Sequence, residues 1–217
     1  MRVLECSVSE LESPIFENEN ISRYLQTKRL LDIAFAILMI VGLSPVFIVT
    51  AIAVRLSSRG PIFYSQKRLT KDGRVFRMYK FRSMTVDAEQ HSGPQWASAN
   101  DPRITAIGRW LRKLRIDELP QLFNVLRGEM SLIGPRPERP ELAAKIKAEV
   151  PGFGLRLQVP AGITGLAQVS AGYAEDTMDH ATKLALDLAY IKACSLKLDL
   201  RIALATIRVM LSGFGAR

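Results

Sequence analysis

Ile33 to Val54 runs without a charged residue, as IAFAILMIVGLSPVFIVTAIAV. At about 1.5 Å per residue, an unbroken helix of this length would reach across a hydrocarbon layer roughly 30 Å thick. Such a segment either enters lipid or becomes the central helix of a soluble core. A secretory signal peptide does not fit. The run starts only after a polar stretch, is too long for a signal core, and is not closed by a small-residue cleavage site.

Two features make a plain membrane span a poor description. Pro45 lies near the middle, preceded by Gly42 and Ser44. Proline removes its own amide donor and clashes with the carbonyl four residues earlier, so a kink is expected. The freed carbonyl needs a partner inside lipid, and the Ser44 hydroxyl is a candidate donor. The second feature is charge: Arg23, Lys28 and Arg29 precede the run, and Arg55, Arg59, Lys67 and Arg68 come after it. A spanning helix carries its Lys and Arg excess on the cytoplasmic side. Basic residues on both flanks favour a helix–break–helix hairpin that enters one leaflet and returns, with a kinked single span as the alternative. Asp32 stands at the entry, four residues after Lys28 and three after Arg29. An acid there demands pairing, so Lys28, Arg29 and Asp32 are expected to form a local anchoring ion cluster.

The chain carries a net charge of +9 with a pI near 9.8, which calls for nucleic acid, anionic lipid or a phosphorylated substrate as partner. The basic run Lys67, Arg68, Lys71, Arg74, Arg77, Lys80 and Arg82 lies just beyond the apolar segment, so anionic headgroups suit it. Cys6 and Cys194 match no metal or redox spacing and are expected to be free thiols. His91 and His180 are isolated and receive no role.

Residues 1–27 read as a polar extension, 28–56 as the re-entrant helix and 57–217 as a catalytic domain. The fold class expected is α+β, mostly helical, with amphipathic interfacial helices. IFYSQKRL and RVFRMYKF around Lys71-Asp72-Gly73 predict a β-hairpin. Residues 88–102 read as a loop. Helices are expected from Arg103 to Leu114, where Ile104, Ile107, Leu111 and Leu114 recur at helical spacing, and from about Glu118 to Leu126. Further helices are expected at Glu141–Val150, Thr177–Ala193 and, amphipathic, Leu196–Leu211. With three prolines, residues 131–141 are expected to be irregular, and 159–173 to be a loop holding one short strand at most.

The densest chemical signal is RWLRKLRIDELPQL, residues 109–122. Four cations lead into Asp117-Glu118, and Pro120 marks the first turn of a helix. Asp117 is thus expected at or near an N-cap, with Glu118 in the first turn. Neighbouring helical residues point about 100° apart, which does not suit a pair flanking one glycosidic bond. It does suit an ionised carboxylate that attacks phosphorus while its neighbour helps to hold a metal. A pyrophosphate substrate would need neutralising by Mg²⁺ and arginine forks. Taken alone, the motif also reads as an ordinary capped helix with a basic face. In GPRPERPE, Pro135 and Pro137 stiffen the backbone around Arg136, presenting it to a phosphate or nucleotide, or to a nearby carboxylate. Lys80 and Arg82 alternate with Phe81 on the second strand and are expected to line a site together.

These pieces, in order, resemble the monotopic phosphoglycosyl transferases, also called bacterial sugar transferases. The resemblance covers residues 27 to 212. It is carried by KRLLD (28–32), Ser44-Pro45, KFRSM (80–84), DPRIT (101–105), IDELPQ (116–121), GPRPERPE (134–141) and GITGLAQV (162–169). It implies a hairpin seated in the cytoplasmic leaflet of a bacterial inner membrane and a ping-pong transfer of sugar phosphate from a UDP-sugar to polyprenyl phosphate. Asp117 would be the nucleophile, and Glu118 with Asp117 would hold Mg²⁺. Lys80, Arg82 and Arg112 would meet the substrate phosphates, and Arg136 the nucleotide. Membrane lipids are implied partners; a homodimer and downstream glycosyltransferases are compatible ones, and nucleic acid is not expected. Many relatives carry a small or hydroxyl residue where this chain has Arg115. Larger relatives add N-terminal membrane spans, so this chain is expected to be the compact form. The rival readings are a membrane-tethered basic nucleic-acid binder, for which no motif is present, and a noncatalytic scaffold.

Overall fold

The computed structural model describes residues 19–86, 88, 101–170 and 179–212. The chain folds as a mostly helical α+β structure. Helix α1 (Glu19–Gly42) meets α2 (Ser44–Ser57) at a bend of 63°. Among the described residues no single helix is long and apolar enough to cross a membrane, although the bent pair together passes on length and composition. The break comes from Pro45. Its missing N–H orphans the Val41 carbonyl, and the Ser44 hydroxyl donates to that same oxygen at 2.7 Å. Most side chains around the bend are bare: Leu38, Val41, Ile48, Val49 and Ile52 are all more than half exposed.

Strands β1 (Phe63–Leu69) and β2 (Val75–Phe81) pair antiparallel, Lys80 opposite Tyr64. Asp72 and Gly73 take positive φ in the connecting turn, the left-handed geometry that Asp and Gly tolerate best. Thr105 caps α3 (Ala106–Lys113), accepting from the Gly108 amide at 2.9 Å. Helix α4 (Gln121–Leu126) leads to β3 (Met130–Ile133), which pairs in parallel with β4 (Ala161–Thr164). This small parallel sheet corrects the expectation that residues 131–141 are wholly irregular. The strand ends before the first proline, and the prolines shape only the chain beyond Gly134. Helices α5 (Pro140–Glu149), α6 (Leu166–Ser170), α7 (His180–Lys192) and α8 (Leu196–Ser212) complete the described chain, with a 3₁₀ segment at Phe153–Gln158. Helix α6 replaces the second half of the loop expected at 159–173, whose last residues, like most of the 88–102 loop, lie outside the described region.

Three apolar clusters hold these pieces. One joins α5, α7 and α8 around Ile146, Phe153, Leu188 and Ile202. A second packs Ala36 of α1 against Phe76, Met78, Leu122, Val125 and Met130. The third sets Val54 of α2 against Phe81 and Leu111. The apolar pair α1–α2 is therefore built into the same core that carries β2, α3 and α4.

The polar base of α1 is locked down as well. Lys28 Nζ lies 2.5 Å from Asp199 Oδ2 and 3.6 Å from Asp32 Oδ1. Asp199 also accepts from Tyr24 at 2.6 Å and Tyr190 at 2.9 Å. Asp32 accepts from the Ser131 hydroxyl at 2.7 Å and the Leu132 amide at 3.3 Å. Arg29, expected to join this cluster, turns elsewhere and donates to the Val125 and Leu126 carbonyls at 2.5 and 2.9 Å. Those carbonyls lie in the last turn of α4, where a cation is favoured by the negative end of the helix dipole. Cys194 is a free, buried thiol; Cys6 lies outside the described residues.

Candidate active site

Asp117 and Glu118 sit in a 3₁₀ turn, Ile116–Glu118, just ahead of α4. The expected helix from Glu118 is thereby corrected: its α-helical part begins at Gln121, with Pro120 as the residue that starts it. Arg115 opens the 3₁₀ turn at φ 57°, ψ 17°. A left-handed backbone at a non-glycine residue carries local strain, and such strain collects at functional sites. Its effect is to turn the chain sharply after α3, so that both carboxylates face inward.

Both are buried, each 6% exposed, yet they are treated very differently. Glu118 Oε1 accepts from Lys80 Nζ at 2.7 Å and from Arg136 Nη2 at 3.0 Å. Burial alone would raise this carboxyl, but the Arg136, Lys80 and Arg115 charges hold it well below the usual range. Asp117 Oδ1 is buried without a hydrogen-bond partner. Burial is the main reason its carboxyl is pushed up to about 6; Glu118 adds to the rise, and Lys80, Arg112 and Arg115 oppose it. One carboxylate is clamped and ionised, while the other keeps one oxygen buried without a hydrogen-bond partner.

Lys80 reaches the dyad because alternation on β2 gives it the face of Phe76 and Met78, which pack toward α4. Arg112 comes from the last turn of α3 and acts on Asp117 through its charge. Arg136 is delivered by the segment after β3. Sequence segments far apart thus converge on Asp117-Glu118. Arg82 does not join them. The strand ends at Phe81, and the Arg82 guanidinium donates to the Ser58 and Arg59 carbonyls at 2.7 and 3.1 Å and to the Ser58 hydroxyl at 3.0 Å. It closes the C-terminal end of α2, so it does not line the dyad beside Lys80 as the strand alternation led one to expect. Ser44 and Pro45 lie at the bend, and Lys28, Arg29 and Asp32 at the base of α1, none of them in the dyad's hydrogen bonds.

No group of three or more His, Cys, Asp or Glu side chains forms a metal cage among the described residues. Mg²⁺ needs no such cage, being commonly held by one or two carboxylates together with substrate phosphates and water. The unpartnered Asp117 oxygen beside Glu118 fits that pattern. Gln121, one turn further on, is 1% exposed and its Nε2 has no partner either. Sequence reasoning missed it, because a glutamine opening a helix after proline carries no distinguishing signal within IDELPQ.

The family model for bacterial sugar transferases matches residues 23–213. A UDP-N-acetylgalactosamine-undecaprenyl-phosphate N-acetylgalactosaminephosphotransferase of Aeromonas hydrophila is 49% identical over 194 residues, 89% of this chain and 46% of that protein. An undecaprenyl-phosphate glucose phosphotransferase of Komagataeibacter xylinus is 42% identical over 186 residues, covering 83% and 35%. A UDP-glucose:undecaprenyl-phosphate glucose-1-phosphate transferase of Klebsiella pneumoniae is 40% identical over 196 residues, covering 89% and 42%. The chain spans less than half the length of these three relatives.

Proposed function

The chain belongs to the bacterial sugar transferase family, and from that membership we propose that it transfers a sugar 1-phosphate from a UDP-sugar to polyprenyl phosphate. The products are a polyprenyl diphosphate sugar and UMP. The observation that carries this reading is the asymmetric dyad: a buried, unpartnered Asp117 oxygen beside a Glu118 clamped by Lys80 and Arg136.

An Asp117 oxygen attacks the β-phosphorus of the UDP-sugar. The new O–P bond forms as the bond between the β-phosphorus and the bridging oxygen breaks, and UMP leaves with that electron pair. The sugar phosphate is then held as an acyl phosphate on Asp117. A phosphate oxygen of the polyprenyl phosphate attacks the same phosphorus and expels the Asp117 carboxylate. Lys80 and Arg112 offset the charge of the phosphates, and Glu118 keeps Lys80 and Arg136 in place. Asp117 and Glu118 would hold Mg²⁺, which supplies charge neutralisation of the pyrophosphate.

A lipid acceptor requires the site to stand at a membrane surface. The bent α1–α2 pair is read as the hairpin that provides this, entering the cytoplasmic leaflet of the bacterial inner membrane and returning. Exposed apolar residues on and beside α3 and on α8 (Trp110, Leu114, Leu200, Leu204 and Ile207) suit the same interface. The test is UMP release from a panel of UDP-sugars with Mg²⁺ and polyprenyl phosphate. Release from a donor by wild type and none by Asp117→Asn supports the reading. No release from any donor by folded, lipid-embedded protein refutes it.

A further inference from the structure

The segment Pro135-Arg136-Pro137 is presented to the dyad from outside any helix or strand. Pro135 and Pro137 are buried while Arg136 between them is half-buried, and the segment borders a small depression lined in part by Thr70, Arg136, Pro137 and Arg156. Backbone bonds hold its two ends, the Gly162 amide donating to the Pro135 carbonyl and the Leu69 amide to the Glu138 carbonyl, both at 2.9 Å, and between them a buried group of charges from other parts of the chain takes over. Arg156 is 2% exposed and donates through Nη2 to the Arg136 carbonyl at 2.8 Å. The same guanidinium is fixed by Asp187 of α7, with Nε and Nη2 at 2.8 and 2.7 Å from Oδ2. Its cation also lies over the Phe153 ring at 5.0 Å. On the far side of Pro137, Glu138 pairs with Lys183 at 2.5 Å, and Arg68 donates to the Pro137 carbonyl at 3.0 Å.

A buried ionic group of this kind adds little stability over well-packed apolar residues of similar size. What it does supply is direction, because a guanidinium fork fixes both partners in one plane. Two prolines limit how the segment bends but do not fix where it points. Hydrogen bonds to the successive carbonyls of Pro135, Arg136 and Pro137 do, and the one at Arg136 itself comes from Arg156.

We propose that Arg156, oriented by Asp187, is a positioning residue that fixes the backbone of Arg136 and so aims the Arg136 guanidinium into the active site. The Arg156 hydrogen bonds run to Asp187 and to the Arg136 carbonyl; its influence on the dyad passes through Arg136. Replacing it by lysine keeps the charge beside Asp187 but loses the fork that reaches the Arg136 carbonyl.

The proposal rests on the transferase reading and is tested by a double-mutant cycle on kcat/KM for the UDP-sugar, in lipid, with melting curves alongside. Arg156→Lys is expected to lower kcat/KM roughly tenfold in the wild-type background, the worth of a charge-assisted hydrogen bond. In an Arg136→Ala background the same substitution should cost less than about twofold, because nothing remains to be aimed. If the alanine variant turns over too slowly for steady-state rates, single-turnover UMP release closes the same cycle. If Arg156→Lys fails to fold, Asp187→Asn loosens the guanidinium more gently and enters the cycle instead. Equal losses in both backgrounds overturn the proposal, as does an Arg156→Lys enzyme with wild-type kcat/KM. A wild type that releases no UMP from any donor marks the separate failure of the transferase reading.

Discussion

Replacing Asp117 by asparagine should abolish transfer and, in the absence of divalent metal, make the protein more stable at neutral pH. Asp117 is 6% exposed and one of its oxygens has no partner. Moving its carboxyl from the usual 3.8 to about 6 means that ionising it in the folded chain costs about 3 kcal/mol at pH 7.5. Asparagine removes that cost but leaves an amide short of partners, a penalty of about 1–2 kcal/mol. The net gain is about 1–2 kcal/mol, or a rise in melting temperature of about 2–8 °C for a chain of this length. The folded carboxyl keeps its proton up to about 6 while the unfolded one releases it near 3.8. The folded state therefore binds more protons in that window, and wild-type stability falls as pH rises through it. At pH 4.5 the cost shrinks to about 1 kcal/mol, and the advantage of the variant should vanish. Melting curves of both proteins in lipid nanodiscs with EDTA, at pH 7.5 and 4.5, read this directly. A variant that melts below wild type at pH 7.5, or by the same difference at both pH values, rules out a strained, buried Asp117 charge as the cause.

Lys28→Met should destabilise the chain by about 3–5 kcal/mol in the same melts, because Asp32 and Asp199 are left buried without their cation; adding Asp199→Asn should recover part of the loss. Arg82→Ala should lower the melting temperature, from about 1–3 kcal/mol of orphaned helix-end carbonyls, while the KM for the UDP-sugar changes less than about twofold in steady-state assays. Cysteines placed at Leu31 and Leu56 should both react with an impermeant thiol reagent from the same side of a sealed vesicle. Labelling from opposite sides would replace the hairpin by a kinked span.

The features legible in the sequence are those set by neighbours along the chain. The Ser44-Pro45 bend comes from proline chemistry, and even the hydroxyl that rescues the freed carbonyl is adjacent to it. The β1–β2 hairpin is announced by the alternating strands and the Asp72-Gly73 turn. Misreadings arise where tertiary partners override local spacing. Arg29 is three residues from Asp32 but serves the end of α4, nearly a hundred residues away. Arg82 shares its parity with Lys80, yet the strand stops between them and α2 takes its guanidinium. The strands of the β3–β4 sheet are only four residues long, too short to register against the prolines beside them. The αL turn at Arg115 carries no glycine to signal it. Within the dyad, Asp117 and Glu118 stand out in sequence, but their division of labour depends on Lys80 and Arg136 arriving from elsewhere.

If Asp117 carries the sugar phosphate between donor and acceptor, the covalent enzyme should accumulate when the acceptor is left out. Lipid-embedded protein is mixed with its UDP-sugar and Mg²⁺, quenched, digested and read by mass spectrometry. Close to one UMP released per enzyme is expected, with a sugar phosphate on the peptide that contains Asp117, lost when polyprenyl phosphate is added before the quench. Turnover that proceeds with acceptor while no UMP or adduct forms without it would contradict Asp117 as the carrier, as would an adduct on any other residue.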